Sequence, residues 1–417
     1  MSKYIIDGGN SLDGTICVES AKNAFLPILA ATILCEEQII LNKAPLFSDV
    51  VNMCDILERL GMKVKRQDDT LVIDGASATP RFVPVDVAKL LRSSIFTLGA
   101  LLGRFKRARV AYPGGCDIGL RPIDLHLKGL RDMGVEITEC HGVINCDATN
   151  LHGGIISLDF ASVGATENLI LTAVMGKERV EIVNCAREPE IVDMCNFLNK
   201  MGARIYGAGT SRIEIEPVKK LHGTEYTPIG DRIIAGTYLI ATAITGGKIE
   251  VSGCNTQFFT SLIDKLRNSG CVLRAKGDKI YLKSPKTLKS VGFVETNVYP
   301  AFPTDLQAQI LTMQTISQGC CVVQENIFES RFKFVPELIK MGARVRARDN
   351  TAVVEGVPSL SGAEVFAKDL RGGASLVLAG LCAKGYTTVN DISHIERGYV
   401  NLDKKLNELG AKIRREE

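Results

Sequence analysis

A short pattern of apolar residues around a glycine recurs six times along the chain. Each copy reads Leu-x-x-Φ-Gly-Φ-x-Φ, where Φ is apolar, except that Ser269 precedes the fourth glycine. The six glycines are Gly61, Gly134, Gly202, Gly270, Gly342 and Gly410. Apolar residues three positions apart lie on one helix face, glycine adopts the left-handed conformation that ends a helix, and apolar alternation then begins a strand. The pattern therefore predicts six helix–glycine–strand junctions.

A second helix-like stretch lies between successive glycines and also occurs six times. Its starting points are near Ser20, Leu91, Ser162, Asp231, Pro303 and Asp369. Each stretch continues with small and apolar residues, as in residues 25–34 and 375–382, and a β-branched run usually follows. Each unit of about 70 residues thus contains two helices and three or four strands, which predicts an α/β layer structure.

The six units divide naturally into two lobes of three. The best break lies at residues 226–230, after the third glycine junction and its strand. We expect a first lobe of residues 22–229 that carries the loop around Cys116, and a second lobe of residues 1–21 and 230–417. The N-terminal strand at residues 4–6 would complete the second lobe. A chain of 417 residues, 46% of them apolar, suffices for two or three domains.

The composition argues against several classes of protein. A net charge of +3 and the lack of a long apolar run predict neither nucleic-acid binding nor a membrane span. The N-terminus shows no signal-peptide pattern. Thirteen cysteines without a CxxC pair fit a reducing cytoplasm better than a disulfide framework or a zinc ribbon. Five scattered histidines predict no metal site, and no phosphate-binding P-loop or dinucleotide fingerprint is present.

Four of the six second-series helices carry a cation in or beside the first turn: Lys22, Arg92, Arg232 and Arg371. Helix N-termini are positive and usually prefer acidic or capping residues. Cations at equivalent positions there indicate sites for a ligand with several negative charges, such as phosphate or carboxylate groups. Arg331 and Arg397 lie in short polar loops, and their planar guanidinium groups can bind such groups through two hydrogen bonds. The alternative is that each cation pairs with a neighbouring carboxylate, such as Asp231 or Asp369.

One loop has no counterpart in the other units. Residues 112–122 contain three glycines and two prolines between a predicted strand and an amphipathic helix, which predicts a loop able to move as a lid. Cys116 lies in this glycine-rich setting near Arg121, which favours the thiolate form. Cys116 is therefore a candidate for a catalytic thiol, against the alternative of an incidental loop cysteine.

A general base is expected at Asp305, the carboxylate at a helix start that departs from the cationic series. A carboxylate there can accept a proton from a bound hydroxyl group. The alternative is that Asp305 only stabilises the N-terminus of its own helix. Weaker candidates of the same kind are Asp231, Asp369, Glu188 and Glu190.

Several motifs in this order resemble the enolpyruvyl transferases over the whole chain. The most specific are Ala21-Lys22-Asn23-Ala24, Pro113-Gly114-Gly115-Cys116, Arg121-Pro122-x-Asp124-Leu125-His126, Ser162-Val163-Gly164-Ala165-Thr166, Arg187-Glu188-Pro189-Glu190, Phe302-Pro303-Thr304-Asp305, Asp369-Leu370-Arg371 and Arg397-Gly398-Tyr399. The resemblance implies two lobes, each of three βαβαββ units around a pseudo-threefold axis, in an inside-out α/β barrel. This architecture agrees with the six repeats, although the count alone does not specify the packing.

The resemblance also implies the reaction. In this family the enolpyruvyl group of phosphoenolpyruvate moves to a hydroxyl group and phosphate leaves, by addition and elimination through a tetrahedral ketal. The motifs are most similar to those of members whose acceptor is the 3-hydroxyl of UDP-N-acetylglucosamine, which begins peptidoglycan precursor synthesis in the cytoplasm. No cofactor, metal, nucleic acid, membrane or obligate protein partner is expected.

Residues at the family's functional positions can be assigned roles by this similarity. Cys116 resembles the loop thiol that protonates the enol methylene and that the epoxide antibiotic fosfomycin alkylates, and Asp305 resembles the base at the sugar hydroxyl. Lys22, Arg121 and Arg397 are implied to hold phosphoenolpyruvate, and Arg331 and Arg371 to complete the anionic cleft. The residues that resemble nucleotide-sugar contacts are Asn23, Arg92, Arg121, Pro122, Ile123, Asp124, Leu125, Ser162, Val163, Gly164, Asp305 and Ile327.

Two loop residues depart from the family pattern. Asp117 and Leu120 occupy positions where alanine is common. A second carboxylate beside Cys116 should oppose thiolate formation by like-charge repulsion.

Three other functions remain as alternatives at this point. They are transfer to shikimate 3-phosphate, non-catalytic sensing of a nucleotide sugar, and RNA 3′-phosphate cyclisation. The Pro-Gly-Gly-Cys loop disfavours the first, and the retention of Cys116 and Asp305 disfavours the second. The weakly charged surface disfavours the third.

Overall fold

The described chain divides into two units, each built from helices and β-sheets. A computed structural model describes residues 2–80, 82–83, 91–114 and 123–417. The first unit comprises the described residues from Ser20 to Ile229, and the second comprises those up to Glu19 together with Gly230–Glu417. Helices and mixed sheets alternate in both, so the chain has an α/β fold.

The helices are numbered in chain order among the described residues. In the first unit they are α1 (Lys22–Ala31), α2 (Ser48–Arg59), α3 (Phe96–Phe105), α4 (Asp124–Asp132), α5 (Val163–Ala173) and α6 (Pro189–Lys200). In the second unit they are α7 (Arg232–Thr245), α8 (Thr260–Asn268), α9 (Gln307–Gln314), α10 (Val335–Lys340), α11 (Leu370–Cys382), α12 (Ser393–Glu396) and α13 (Leu402–Glu408). Short 3₁₀ turns occur at Thr32–Leu34, Arg92–Ile95, Thr256–Phe259 and Thr304–Leu306.

The strands are numbered in the same way. The first unit contains β3 (Gln38–Leu41), β4 (Lys63–Gln67), β5 (Thr70–Asp74), β6 (Arg107–Ala111), β7 (Glu136–Cys140), β8 (Val143–Asp147), β9 (Gly154–Ser157), β10 (Val180–Val183), β11 (Arg204–Tyr206), β12 (Arg212–Glu216) and β13 (Glu225–Tyr226). The second unit contains β1 (Lys3–Asp7), β2 (Asp13–Cys17), β14 (Lys248–Ser252), β15 (Val272–Lys276), β16 (Lys279–Lys283), β17 (Phe293–Thr296), β18 (Cys320–Glu325), β19 (Arg344–Arg348), β20 (Thr351–Glu355), β21 (Glu364–Phe366), β22 (Tyr386–Asn390) and β23 (Ile413–Glu416).

The sheets of the described residues share one arrangement. In the first unit the strand orders are β13-β3-β5-β4, β6-β8-β7 and β11-β12-β10-β9. In the second unit they are β15-β16-β14-β2, β17-β18-β20-β19 and β21-β22-β1-β23. The four-stranded sheets each combine one parallel pair with two antiparallel pairs. Beside the three-stranded sheet, Val83 makes an isolated parallel bridge to Val110 at the corresponding edge.

The N-terminal strand completes a sheet of the second unit. β1 pairs antiparallel with both β22 and β23, so that Tyr4 faces Val389 on one side and Arg415 on the other. This pairing confirms the expectation for residues 4–6. In the first unit, β13 pairs parallel with β3, so the last strand of that unit joins its first sheet.

Each of the six repeated glycines lies between a helix and a strand. Their φ angles range from 81° at Gly134 to 102° at Gly410, in the left-handed region. In every copy the residue after the glycine donates its N–H to the carbonyl of the first leucine, as Met62 does to Leu57 at 3.1 Å. This bond defines the Schellman end of a helix. The six predicted junctions are therefore confirmed.

The second-series helices form the buried part of each unit. Almost all residues of α1, α3 and α5 in the first unit, and of α7, α9 and α11 in the second, are buried. Glycines allow close packing, because a Cβ on Gly99 or Gly103 would lie 2.4 Å from the carbonyl oxygen of Asn168 or Leu171. None of the described helices is long and apolar enough to cross a membrane.

Two of the junction glycines allow the contribution of close packing to stability to be tested. A Cβ on Gly61 would lie 2.7 Å from the Ser77 carbonyl oxygen, whereas at Gly202 the nearest atom is in the His222 side chain at 3.4 Å. Gly202→Ala should lower the free energy of unfolding by about 1–2 kcal/mol through left-handed strain alone. Gly61→Ala should lower the free energy of unfolding by about 1–3 kcal/mol more, because the added methyl group would overpack against the Ser77 carbonyl. Urea unfolding of both variants measures the difference, and equal losses would contradict the predicted clash.

Candidate functional site

The predicted second-series helix starts coincide with observed helix or 3₁₀ starts. Lys22 is the first residue of α1, and Arg92 is the first residue of the 3₁₀ turn before α3. Asp305 lies within the 3₁₀ turn before α9. The other three starts have side-chain N-caps, which are Ser162 for α5, Asp231 for α7 and Asp369 for α11.

Asp231 and Asp369 serve as the N-caps of α7 and α11. Oδ1 of Asp231 accepts hydrogen bonds from the amides of Ile233 and Ile234 at 2.8 and 3.0 Å. Oδ1 of Asp369 likewise accepts from the amides of the second and third residues after it. These bonds satisfy the amides at the helix end. The capping role weakens both residues as candidates for a general base.

Lys22 is held by a carboxylate from another helix of the first unit. Its Nζ lies 2.6 Å from Oδ2 of Asp49, in the first turn of α2, and the two side chains are 10% and 3% exposed. Asp49 could not be singled out from the sequence, because an acidic residue in the first turn of a helix is ordinary. The pair joins α1 to α2 and holds the ammonium group at the start of α1.

The proposed nucleotide-sugar residues of the first unit lie at helix starts. Asn23 and Asp124 are exposed, Ile123 is buried, and Arg92, Leu125, Ser162, Val163 and Gly164 are half-buried. Gly164 permits a close contact, because a Cβ there would lie 3.0 Å from Cε1 of His126. His126 packs inside the unit with its Nδ1 2.8 Å from Nδ2 of Asn168. Cys116, Arg121 and Pro122 lie outside the described residues, as do Asp117 and Leu120.

Three charged side chains meet in the second unit. Nη2 of Arg331 donates to Oδ1 of Asp305 at 2.6 Å, and Nη2 of Arg371 donates to Oδ2 at 3.1 Å. The arginine side chains are 5% and 4% exposed, whereas that of Asp305 retains 23% of its surface. One carboxylate therefore balances two buried guanidinium groups and still reaches the surface of its unit.

The charges of this cluster stabilise one another. Burial by itself would raise the pKa of the Asp305 carboxyl group, but Arg371 and Arg331 hold that pKa well below its usual range. Burial would likewise lower the pKa of the Arg371 guanidinium, but Asp305 holds it above its usual value. Asp305 is thus a carboxylate at neutral pH, and a weak base while both arginines hold it.

Glu325 connects the Asp305 turn to the loop that contains Ile327. The Thr304 hydroxyl donates to the Glu325 carboxylate at 2.9 Å, and the amides of Ile327 and Phe328 donate to its Oε1 at 2.9 and 3.1 Å. Glu325 is 2% exposed and ends β18. The amides of Ile327 and Phe328 are close to Glu325 in sequence, but its bond to Thr304 could not be inferred, because Thr304 becomes a neighbour only when β18 meets the turn before α9.

The remaining predicted residue of the second unit is Arg397, which follows α12 and is half-buried. The structure therefore brings Asp305, Arg331 and Arg371 into direct contact and places Ile327 one loop away. Within the described residues, no group of three His, Cys, Asp or Glu side chains could hold a metal ion. None of the twelve described cysteines forms a disulfide.

Comparison with known proteins identifies the family. The family model described as EPSP synthase (3-phosphoshikimate 1-carboxyvinyltransferase) matches residues 6–406. The enolpyruvyl transferase NikO from Streptomyces tendae has a TM-score of 0.89 at 23% identity, covering 99% of this chain and 98% of that one. EPSP synthase from Acinetobacter baumannii has a TM-score of 0.77 at 18% identity, with both chains fully covered. The chain belongs to the EPSP synthase family of enolpyruvyl transferases.

Relatives of higher identity share one name within this family. UDP-N-acetylglucosamine 1-carboxyvinyltransferase 2 of Caldanaerobacter subterraneus is 49% identical over 413 residues, 99% of each chain. UDP-N-acetylglucosamine 1-carboxyvinyltransferase of Thermotoga maritima is 45% identical over 415 residues, covering 99% of this chain and 98% of the other. The similarity to these relatives extends over the entire length rather than over a single motif.

The buried ion pair of the first unit should be important for stability. Asp49→Asn removes the charge that faces Lys22 and should lower the free energy of unfolding by about 3–5 kcal/mol, because the buried ammonium loses its balancing carboxylate. Asp55→Asn is the matched control on the same helix, since Asp55 pairs with Arg59 at 2.9 Å with both side chains 45% exposed. The control should lose less than about 1 kcal/mol. Denaturant unfolding compares the two, and similar losses would refute a special role for the buried pair.

Proposed function

We propose that this chain transfers the enolpyruvyl group of phosphoenolpyruvate to the 3-hydroxyl of UDP-N-acetylglucosamine and releases inorganic phosphate. The observation that carries the proposal is full-length identity of 42–49% to relatives whose names state this transfer. The reaction would be the first committed step of peptidoglycan precursor synthesis, and we place it in the cytoplasm. Shikimate 3-phosphate is the second candidate acceptor, because the matching family model is described by that activity.

The proposed chemistry adds an alcohol to the double bond of an enol phosphate and then eliminates phosphate. The sugar oxygen bonds to C2 of phosphoenolpyruvate while its proton passes to Asp305 and the methylene carbon gains a proton from Cys116. In the elimination, phosphate leaves with the proton from Asp305, and the Cys116 thiolate takes a proton back from the methyl group, which restores the double bond. Support for Asp305 comes from its ionised state and its partly exposed side chain, since a base must be unprotonated and within reach of the hydroxyl.

Cations are proposed to hold the charged groups of phosphoenolpyruvate. We assign its phosphate and carboxylate to Lys22, Arg121 and Arg397, with Arg331 and Arg371 completing the positive surroundings. Burial of Lys22 and Arg371 supports this role, because a guanidinium or ammonium group in a site of low dielectric constant attracts an anion strongly. When an anion binds Arg371 or Arg331, that arginine holds Asp305 less strongly. The Asp305 carboxylate then becomes a stronger base.

The nucleotide sugar is proposed to bind mainly through the first unit. Its contacts are assigned to Asn23, Arg92, residues 121–125, Ser162, Val163 and Gly164, together with Ile327 of the second unit. The N-terminus of α5 at Ser162–Gly164 supports a phosphate contact, since its first amides point out of the helix.

For the architecture we propose three βαβαββ repeats in each unit, arranged as an inside-out α/β barrel. Buried helices and one-sided sheets support that arrangement.

Phosphate release tests the proposed function directly. The purified chain, incubated with phosphoenolpyruvate and UDP-N-acetylglucosamine, should release phosphate and form the enolpyruvyl sugar nucleotide, as detected by mass spectrometry. A parallel reaction with shikimate 3-phosphate tests the second acceptor and should show no release above that of phosphoenolpyruvate alone. Absence of release with the nucleotide sugar would reject the proposal, and release only with shikimate 3-phosphate would establish the alternative.

Fosfomycin tests the role proposed for Cys116. Intact-protein mass spectrometry should show one covalent adduct in the wild-type chain and none in Cys116→Ser. Cys17→Ser is the matched control, because Cys17 is exposed and its loss should leave the adduct in place. Asp117→Ala should accelerate inactivation by removing a like charge that opposes the thiolate. An adduct that persists in Cys116→Ser would show that another thiol reacts.

A further inference from the structure

One buried hydroxyl group joins the three central helices of the second unit. Tyr399 is 1% exposed, and its oxygen lies 3.0 Å from Oγ1 of Thr237 on α7. It also lies 3.2 Å from Nε2 of Gln309 on α9 and 3.1 Å from Nη1 of Arg371 on α11. The residue therefore contacts α7, α9 and α11 at one point, next to the Asp305 cluster.

The donors and acceptors at this point can be assigned from the geometry. The Thr237 hydroxyl donates its only proton to the Ile233 carbonyl at 2.8 Å, so the Tyr399 hydroxyl donates to Thr237. The Tyr399 oxygen then accepts from Gln309 and from Arg371, which uses both of its lone pairs. The hydroxyl group is thus fully satisfied, as a buried polar group requires.

Two separate routes lead from this hydroxyl group to Asp305. Arg371 uses Nη1 for Tyr399 and Nη2 for Oδ2 of Asp305, so its guanidinium bridges the two residues. Gln309 uses the same Nε2 for Tyr399 and for the Asp305 backbone carbonyl, which it reaches at 3.1 Å. Arg371 therefore binds the side chain of Asp305, and Gln309 binds its main chain. Both groups also donate hydrogen bonds to Tyr399.

We propose that Tyr399 is a positioning residue for Asp305, acting through Arg371 and Gln309. Its hydroxyl group engages Nη1 of Arg371, so that of the two terminal nitrogens Nη2 alone contacts Asp305. Without the hydroxyl group, Arg371 can turn both terminal nitrogens to the carboxylate in the bidentate geometry that these groups favour. The carboxylate would then be held more tightly and would be a poorer acceptor for the sugar proton. The proposal rests on the transfer to UDP-N-acetylglucosamine proposed above.

Tyr399→Phe isolates the hydroxyl group. The variant keeps the ring, whose centroid lies 5.5 Å from Cζ of Arg371, and so keeps the cation–π contact. We expect kcat for phosphate release to fall roughly 10- to 100-fold, the range for loss of a hydrogen bond to a charged group. KM for UDP-N-acetylglucosamine should stay at the wild-type value, because the acceptor does not contact Tyr399 in the proposed site.

Tyr226→Phe controls for the loss of a hydrogen-bonded tyrosine hydroxyl elsewhere. Tyr226 donates to Oδ1 of Asp193 at 2.7 Å in the first unit, away from every residue given a catalytic role. This control should lower the melting temperature and leave kcat unchanged. A fall in kcat for Tyr399→Phe but not for Tyr226→Phe supports positioning. Wild-type kcat in Tyr399→Phe, or equal losses in both variants, would overturn it.

A conservative pair at Thr237 keeps the test valid if Tyr399→Phe fails to fold. Thr237→Val removes the acceptor of the Tyr399 proton and should lower kcat, whereas Thr237→Ser keeps the acceptor and should restore it. Equal kcat values in the two variants would contradict the proposal. The wild-type enzyme is assayed first, so that absent phosphate release rejects the proposed function and is distinguished from a failure of the positioning role.

Discussion

Burial of positive charge is the constraint around which both units are organised. Lys22, Arg331 and Arg371 have little exposure, and an unbalanced charge in such a position would be strongly destabilising. Each is paired with a carboxylate from a different segment: Asp49 of α2 for Lys22, and Asp305 of the turn before α9 for both arginines. The pairs that make burial possible therefore also fix the helices to one another and hold the cations at helix starts.

The repeated scaffold determines which carboxylates are available for this purpose. Asp231 and Asp369 stand at N-cap positions and use their oxygens for backbone amides. Asp305 lies at the fifth of the six second-series helix starts. It is inside a 3₁₀ turn, where its carboxylate accepts hydrogen bonds from two arginines. A small difference in local backbone thus separates an aspartate that caps its helix from one that pairs with two arginines.

Local patterns in the sequence predicted local structure well. The six glycine junctions and the helix starts at Lys22, Ser162 and Asp369 follow from residue spacing and capping chemistry, and the structure confirms them. The partners of the site residues could not be predicted, because they come from distant segments. Asp49 and Glu325 look like ordinary surface carboxylates until the fold brings them beside Lys22 and Thr304. Arg371 likewise pairs with Asp305, a carboxylate 66 residues earlier in the chain, which the sequence could not indicate.

In the function proposed above, the cluster around Asp305 serves the transfer step rather than the choice of acceptor. Solved structures at 18% and 23% identity share the fold over essentially the whole chain, and one of them is an EPSP synthase. The names of the matching family model and of the relatives of higher identity differ in the acceptor, which is 3-phosphoshikimate in one and UDP-N-acetylglucosamine in the other. Most residues proposed to bind the nucleotide sugar belong to the first unit, whereas the proposed base and its arginines belong to the second. This division allows acceptor recognition to change through helix starts such as Ser162–Gly164, while the charge balance of Asp305, Arg331 and Arg371 stays intact. A change within that cluster would instead leave a buried charge without its partner, which limits how far the second unit can vary.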